Sequence, residues 1–334
     1  TPMSTEKRPN VVVLGGGVGS STFTKALLDL PINLTTIVSA FDDGGSTGAL
    51  RREYGGFALG DFRQCIVASL DLDNDLVKAL NHRFGKGNLH GVNVGNLLLK
   101  SFFEQFKDQK TAVSRLHSLL NLKNKVMPIS YSFAKLCARL SNKKTLIDED
   151  QVANYLSFAE APISELYLSK KAQINPLAAS AIKKADYVIF APGNFFTSVM
   201  PHLYVTGFKE AWKSSKAERV WFVNLLAHRG QDSQYSLMNY LAWFQKQLGS
   251  RPFDRIVLNK KVPRRLLLAV RHRFNELLVT SKDLKQIKSL KIKVEIADLV
   301  SASIRAQQSN DAVLRAPLRH DISKIRKYFK KLIL

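Results

Sequence analysis

The feature that most narrows the fold is a junction near the start of the chain, where Val11-Val12-Val13-Leu14 runs directly into Gly15-Gly16-Gly17-Val18-Gly19-Ser20-Ser21. Four consecutive apolar residues, three of them β-branched, suit a strand buried on both faces, the condition found in a parallel sheet covered by helices. Beyond the glycines, Phe23, Ala26, Leu27 and Leu30 recur at helical spacing, and Pro31 ends the pattern. Leu34 to Ala40 supplies a second β-rich run, completing a βαβ unit whose crossover is right-handed by default.

The same alternation returns later. Ala178 to Ala185 reads as helix, Tyr187 to Phe190 as strand, and Ala191-Pro192-Gly193-Asn194 as a turn, while Arg219 to Leu226 and Ile256 to Asn259 read as further buried strands. A doubly wound α/β fold with a mainly parallel sheet is expected, as one domain over 9–334 behind a flexible stretch 1–8. Asn96 is the expected cap of a helix carrying Leu99, Phe102, Phe103 and Phe106. Between about 107 and 170 the alternation lapses. Val126 to Ser130 and Leu136 to Leu140 read as short strands there, with Ser141-Asn142-Lys143-Lys144 as a polar turn, so an inserted α/β subdomain is expected.

Composition matters for what it excludes. Two cysteines, Cys65 and Cys137, are too few for a disulfide framework or a multi-cysteine zinc site, and no His-x-x-x-His pair stands among the seven histidines. No stretch approaches membrane-spanning length, and the Val11 to Leu14 run is far shorter than a signal-peptide core, so a cytoplasmic protein without membrane insertion is expected. The 50 Lys and Arg exceed the 27 Asp and Glu, for a formal charge of +23. Such an excess attracts phosphates, anionic lipid or nucleic acid, or it is a solvated, lysine-rich surface. No aromatic-interleaved basic motif supports nucleic acid as a partner.

Chemistry is expected where strands end in glycine. Backbone N–H groups around Gly15, Gly16, Gly17, Gly19 and Ser20 stand at a helix amino end and can hold a phosphate, with Ser21 and Thr22 as further donors. The same loop can also be a tight βα turn with no ligand. The Walker pattern fails, because no Gly-Lys pair follows. The run Asp42-Asp43-Gly44-Gly45-Ser46-Thr47-Gly48 falls at the same sheet edge. There Asp42 or Asp43 can accept a sugar hydroxyl or share Mg²⁺ with the phosphates, Asp43 being the metal candidate, or both can bond their own turn. Asp61 with Gln64 three residues on resembles a capping box or is a ligand contact, Arg63 can face an anion, and Asp61, Arg63 and Asn96 are all candidate ligand-binding residues. No covalent nucleophile is evident, and no catalytic residue is assigned.

Taken together, these segments resemble the gluconeogenesis-factor (YvcK-type) family of the phospholactate-transferase-like (CofD-like) superfamily. The resemblance rests on Gly15 to Gly19, Asp42 to Gly48 with Leu50-Arg51, Gly60-Asp61-Phe62-Arg63-Gln64-Cys65, Gly95-Asn96-Leu97-Leu98-Leu99, Ala191 to Ser198, Asn224-Leu225-Leu226 and Leu318-Arg319-His320-Asp321. It implies a Rossmann-like three-layer sandwich and a nucleotide-type ligand, a UDP-sugar such as UDP-N-acetylglucosamine. It further implies a role in cell shape, envelope synthesis and gluconeogenic growth exerted through envelope-synthesis protein partners, with homo-oligomers allowed. The ligand contacts it implies are the two glycine loops, Gly193, Asn194, Asn224 and Arg319. The alternative is a Mg²⁺-dependent transferase of a phospholactyl-type group from a nucleotide-activated small acid. This chain departs from the family pattern at Val92, at Asn194, at Ala227 to Asp232, and at Ile322, where kinase-regulated relatives carry threonine; that switch is expected to be missing here.

Overall fold

The computed structural model describes residues 8–70, 75–156, 161–228, 236–271, 274–277, 279–304 and 317–333. Most of the expected flexible stretch 1–8 lies outside the described residues, as do positions 229–232 of the departing pattern.

The first strand, β1 (Asn10–Gly15), is flanked on both sides by parallel partners, β2 (Asn33–Val38) and the later strand Tyr187–Phe190, so its apolar run is sealed from water. In chain order the remaining strands are β3 (Lys125–Pro128), β4 (Leu136–Leu140), β5 (Thr145–Ile147), β6 (Ile163–Leu168), β7 (Tyr187–Phe190), β8 (Glu218–Phe222), β9 (Leu226–His228), β10 (Arg255–Asn259), β11 (Phe274–Glu276) and β12 (Lys293–Ala297). Seven of them form one parallel sheet in the order β12-β10-β8-β7-β1-β2-β3. Chain order reverses between β1 and β7, and in an open α/β sheet the crevice beyond that point is where ligands bind.

Helices cover both faces. Gly17–Leu27 and Ile322–Ile333 bury Phe23, Leu27, Ile325 and Phe329 against one face, and the other carries a larger core in which Phe190 meets Trp212, Phe244 and Phe253. The architecture is the expected Rossmann-like α/β sandwich. The inserted unit is smaller than the sequence suggests. β3 belongs to the main sheet, since Thr35 to Val38 pair with Lys125 to Pro128, and helix Gln109–Leu119, which precedes it, buries Ala112, Val113 and Leu116 in the larger core. The insertion proper is the antiparallel sheet β5-β4-β6 with helix Glu149–Tyr155. Short strands of either kind look alike in sequence, so local pattern does not tell which sheet β3 joins.

Candidate functional site

The site is assembled by two loops meeting across the reversal point. After β1 the chain turns at Gly16 into helix Gly17–Leu27, and after β7 it turns through Pro192 and Gly193 into a π-helical turn, Phe195–Val199. A Cβ on Gly19 would lie 1.6 Å from the Pro192 carbonyl oxygen, so only glycine lets the loops touch. The second loop is held from below by Asn224, whose amide accepts from Gly193 N at 3.0 Å and donates to Gly193 O at 2.6 Å. Asn194 accepts from Thr197 N at 3.3 Å and so caps the π turn. Single-turn π-helices of this kind recur at functional sites.

Between the loops opens a cavity of about 260 Å³. Of the residues expected from sequence it brings together Gly16, Gly17, Gly19, Asp42, Asp61, Gly193, Asn194, Asn224 and Arg319. Gln64, Thr197 and Ser198 add polar groups, while Tyr240, Phe274, Leu277 and Leu318 add apolar side chains.

Other expected residues lie behind this cavity. Gly15 ends β1, and Ser20 is fully buried with its hydroxyl unpartnered among the described residues. The Ser21 and Thr22 hydroxyls donate to Val18 O at 3.0 and 2.7 Å, which commits those protons to the helix, though Thr22 itself lines the cavity. Asp43 does not line the cavity. Its Oδ1 accepts from Arg51 Nη1 at 2.5 Å, and that buried guanidinium also donates to Asp42 O at 3.0 Å and Ala134 O at 2.8 Å. Arg51 therefore takes up one oxygen of the carboxylate expected to hold a metal, the other being buried without a hydrogen-bond partner among the described residues, and pins the aspartate loop. Gly44 and Gly45 form the start of helix Gly45–Tyr54, with Gly44 N donating to Asp42 Oδ1 at 2.9 Å.

Arg63 and Asn96 form a second buried scaffold. Arg63 Nε donates to Asn96 Oδ1 at 3.0 Å, Arg63 Nη1 to Asn81 Oδ1 at 2.9 Å, and Asn96 Nδ2 to Ser46 Oγ at 2.9 Å. Ser46, Arg63 and Asn96 thus support the loops from outside the cavity. Asn96 is not the helix cap: Asn93 is, accepting from Asn96 N at 3.1 Å. Nor is Asp61 a cap, because its helix Leu59–Ala68 starts two residues earlier. Its carboxylate reaches the glycine loop instead, so that a Cβ on Gly16 would lie 2.2 Å from Asp61 Oδ2.

Two residues of the site carry little mark in the sequence. Glu149 heads the helix of the insertion and lines the cavity with Thr197 and Asp42. Burial, reinforced by the Asp42 carboxylate, holds its carboxyl well above the usual glutamate range. The only signal for it is an acidic triplet, Asp148-Glu149-Asp150, which resembles ordinary first-turn charge. His320, beside Arg319, is lowered by burial to about 3 and is a neutral imidazole whose Nε2 has no partner among the described residues. Asp42, Asp61, Glu149 and Arg319 thus line one cavity, and the described residues contain no cluster of three or more His, Cys, Asp or Glu arranged to hold a metal ion. No described helix is long and apolar enough to cross a membrane.

Comparison with known proteins bears on the family and the fold. Residues 11–300 match the family described as 2-phospho-L-lactate transferase CofD. A gluconeogenesis factor from Halalkalibacterium halodurans is 33% identical over 256 residues, covering 76% of this chain and 78% of that protein. A putative gluconeogenesis factor from Nostoc sp. is 32% identical over 258 residues, which is 76% of this chain and 56% of the relative, so the match spans little more than half of that longer protein. The crystal structure of a UPF0052-family protein from Bacillus halodurans superposes with a TM-score of 0.85 at 28% identity, covering 97% of this chain and 99% of that one. The chain therefore belongs to the CofD family, within its gluconeogenesis-factor group.

Proposed function

We propose that the cavity at the β1/β7 reversal binds a nucleotide sugar, a UDP-sugar such as UDP-N-acetylglucosamine, and that the protein acts as a ligand-responsive regulator of envelope synthesis and gluconeogenic growth through protein partners. The observation that carries this reading is a cavity lining that combines apolar side chains, Tyr240, Phe274 and Leu277, with positive charge from Arg319 and the amino end of helix Gly17–Leu27. A base suits the first, a diphosphate the second, and sugar hydroxyls suit Asp42, Asp61 and Asn194. Thermal shift and calorimetry with UDP-N-acetylglucosamine, UDP-glucose, NAD and GDP test it. UDP-sugars should raise the melting temperature, and Arg319→Gln should abolish the rise; a response to NAD alone sinks the reading.

A second reading is favoured by the carboxyl groups of the lining. Asp61 stands at the glycine loop where a phosphate would rest, and like charges there need a cation between them. Asp42 and Asp61 are hard oxygen donors of the kind Mg²⁺ takes together with substrate phosphates, which fits a Mg²⁺-dependent phospholactyl-type transferase. Bound Mg²⁺ would neutralise the phosphates there. Turnover of a nucleotide-activated small acid that requires Mg²⁺ and is lost in Asp42→Asn would establish this reading in place of the regulator.

A further inference from the structure

On the sheet face that carries the larger core, four helices lie side by side: Pro176–Lys184, Phe208–Ser214, Leu237–Leu248 and Ser281–Ser289, each in contact with the next. Their outer surfaces are rich in lysine. Lys209 and Lys213 are spaced i and i+4, Lys282, Lys285 and Lys288 follow at steps of three, and all of them, with Lys246, are exposed. Residues 176–186, 208–217, 237–251 and 281–291 contain eleven Lys and Arg against three acids. One of those acids, Asp283, is buried in the capping box of its own helix.

Helix electrostatics accounts for part of this pattern only. Lys213, Lys246 and Lys288 stand in last turns, where a cation complements the dipole. Lys209 and Lys282 stand in first turns, where a cation opposes it, and lysines three or four apart repel along the helix. Among the described residues no ion pair relieves any of the six. On the opposite face Lys324 pairs with Asp298 at 2.9 Å and Arg326 with Asp29 at 2.8 Å, while Lys327, Lys330 and Lys331 there, exposed and unpaired among the described residues, lie on a single helix, Ile322–Ile333, and not across a layer of four. Locally unfavourable charges gathered on one layer are stabilised by an external anion.

We propose that this four-helix face docks peripherally on an anionic phospholipid surface. Helices packed 8–10 Å apart make a layer roughly 30 Å wide, which suits a planar partner. Nucleic acid is read by an element entering a groove or by aromatic stacking platforms. The aromatic nearest this surface, Trp243, packs instead on Phe196 at 5.5 Å with the Lys246 ammonium 5.7 Å above it. Lysine is a point charge without the bidentate fork of arginine, and it suits headgroups of no fixed geometry. Leu177, 43% exposed on the first of the four helices, adds an apolar side chain that can enter the headgroup layer.

Flotation of the full chain with phosphatidylcholine vesicles, with and without phosphatidylserine, tests the proposal. Binding should require phosphatidylserine and disappear at high salt. The triple variant Lys282→Gln, Lys285→Gln, Lys288→Gln should weaken it tenfold or more, at about fivefold per lysine near the surface. The matched triple variant Lys327→Gln, Lys330→Gln, Lys331→Gln, on the opposite face, should bind as the parent does, and melting curves verify that both variants are folded. Failure to bind the anionic vesicles, an equal loss in the two variants, or a lysine-dependent affinity for duplex DNA in the absence of vesicle binding each overturns it.

Discussion

At the scale of single residues, the site depends on contacts too close for any alternative side chain. Gly19 faces the Pro192 carbonyl with no room for a methyl group, so Gly19→Ala should force the two loops apart and destabilise the fold by about 2 kcal/mol, read as a lower urea midpoint. Glu149 makes a different prediction. Its folded-state affinity for a proton exceeds that of an unfolded glutamate, near pH 4.3, so the protonated form favours folding. That contribution is complete below the unfolded value and is lost as pH rises through the raised folded value. Melting temperature should therefore fall over this interval, and Glu149→Gln, neutral throughout, should flatten the decline. An unchanged pH profile would show that burial beside Asp42 leaves the Glu149 carboxyl unshifted. The loop glycines are legible in sequence, since glycines clustered directly after a buried strand mark a tight turn into a helix. Glu149 is not, because its neighbour Asp42 lies over a hundred residues away and only the packing of the insertion brings them together.

At the scale of elements, the departures from expectation share one cause. A cap is decided by where the helix starts, and sequence resolves that boundary to a few residues at best. Asn93 and Asn96 are both good caps by composition; Asn93 has the role, and also donates to Asn81 O and His82 O, while Asn96 is drawn into the Arg63 scaffold. Asn93→Ala should cost about 1 kcal/mol or more in denaturant unfolding, from loss of the cap and of these two carbonyl contacts. The aspartate loop shows the same point. Neighbouring in sequence, Asp42 and Asp43 point to opposite sides of their turn, one into the cavity and the other onto Arg51. Helix Gly45–Tyr54 returns Arg51 beneath the loop, and no local pattern tells which carboxylate it will meet.

At the scale of the molecule, charge and topology act separately. A formal charge of +23 raises the energy of any compact state through self-repulsion. Moderate salt should therefore raise the melting temperature, because screening within about 10 Å at 0.1 M relieves repulsion among exposed lysines more than it weakens buried pairs such as Arg51 with Asp43. A melting temperature that falls with salt would mean that surface ion pairs outweigh repulsion. By itself, the sequence determined the parallel α/β sheet and the glycine loops at its carboxyl edge, because strand burial, helical spacing and tight turns are local and leave periodic marks. Only the tertiary structure decided that β3 joins the main sheet, that the insertion supplies Glu149, and that Asp43, Arg63 and Asn96 support the cavity from behind. Those outcomes depend on contacts between segments far apart in the chain, where a side chain's partner is set by packing and its neighbours in sequence carry no trace of it.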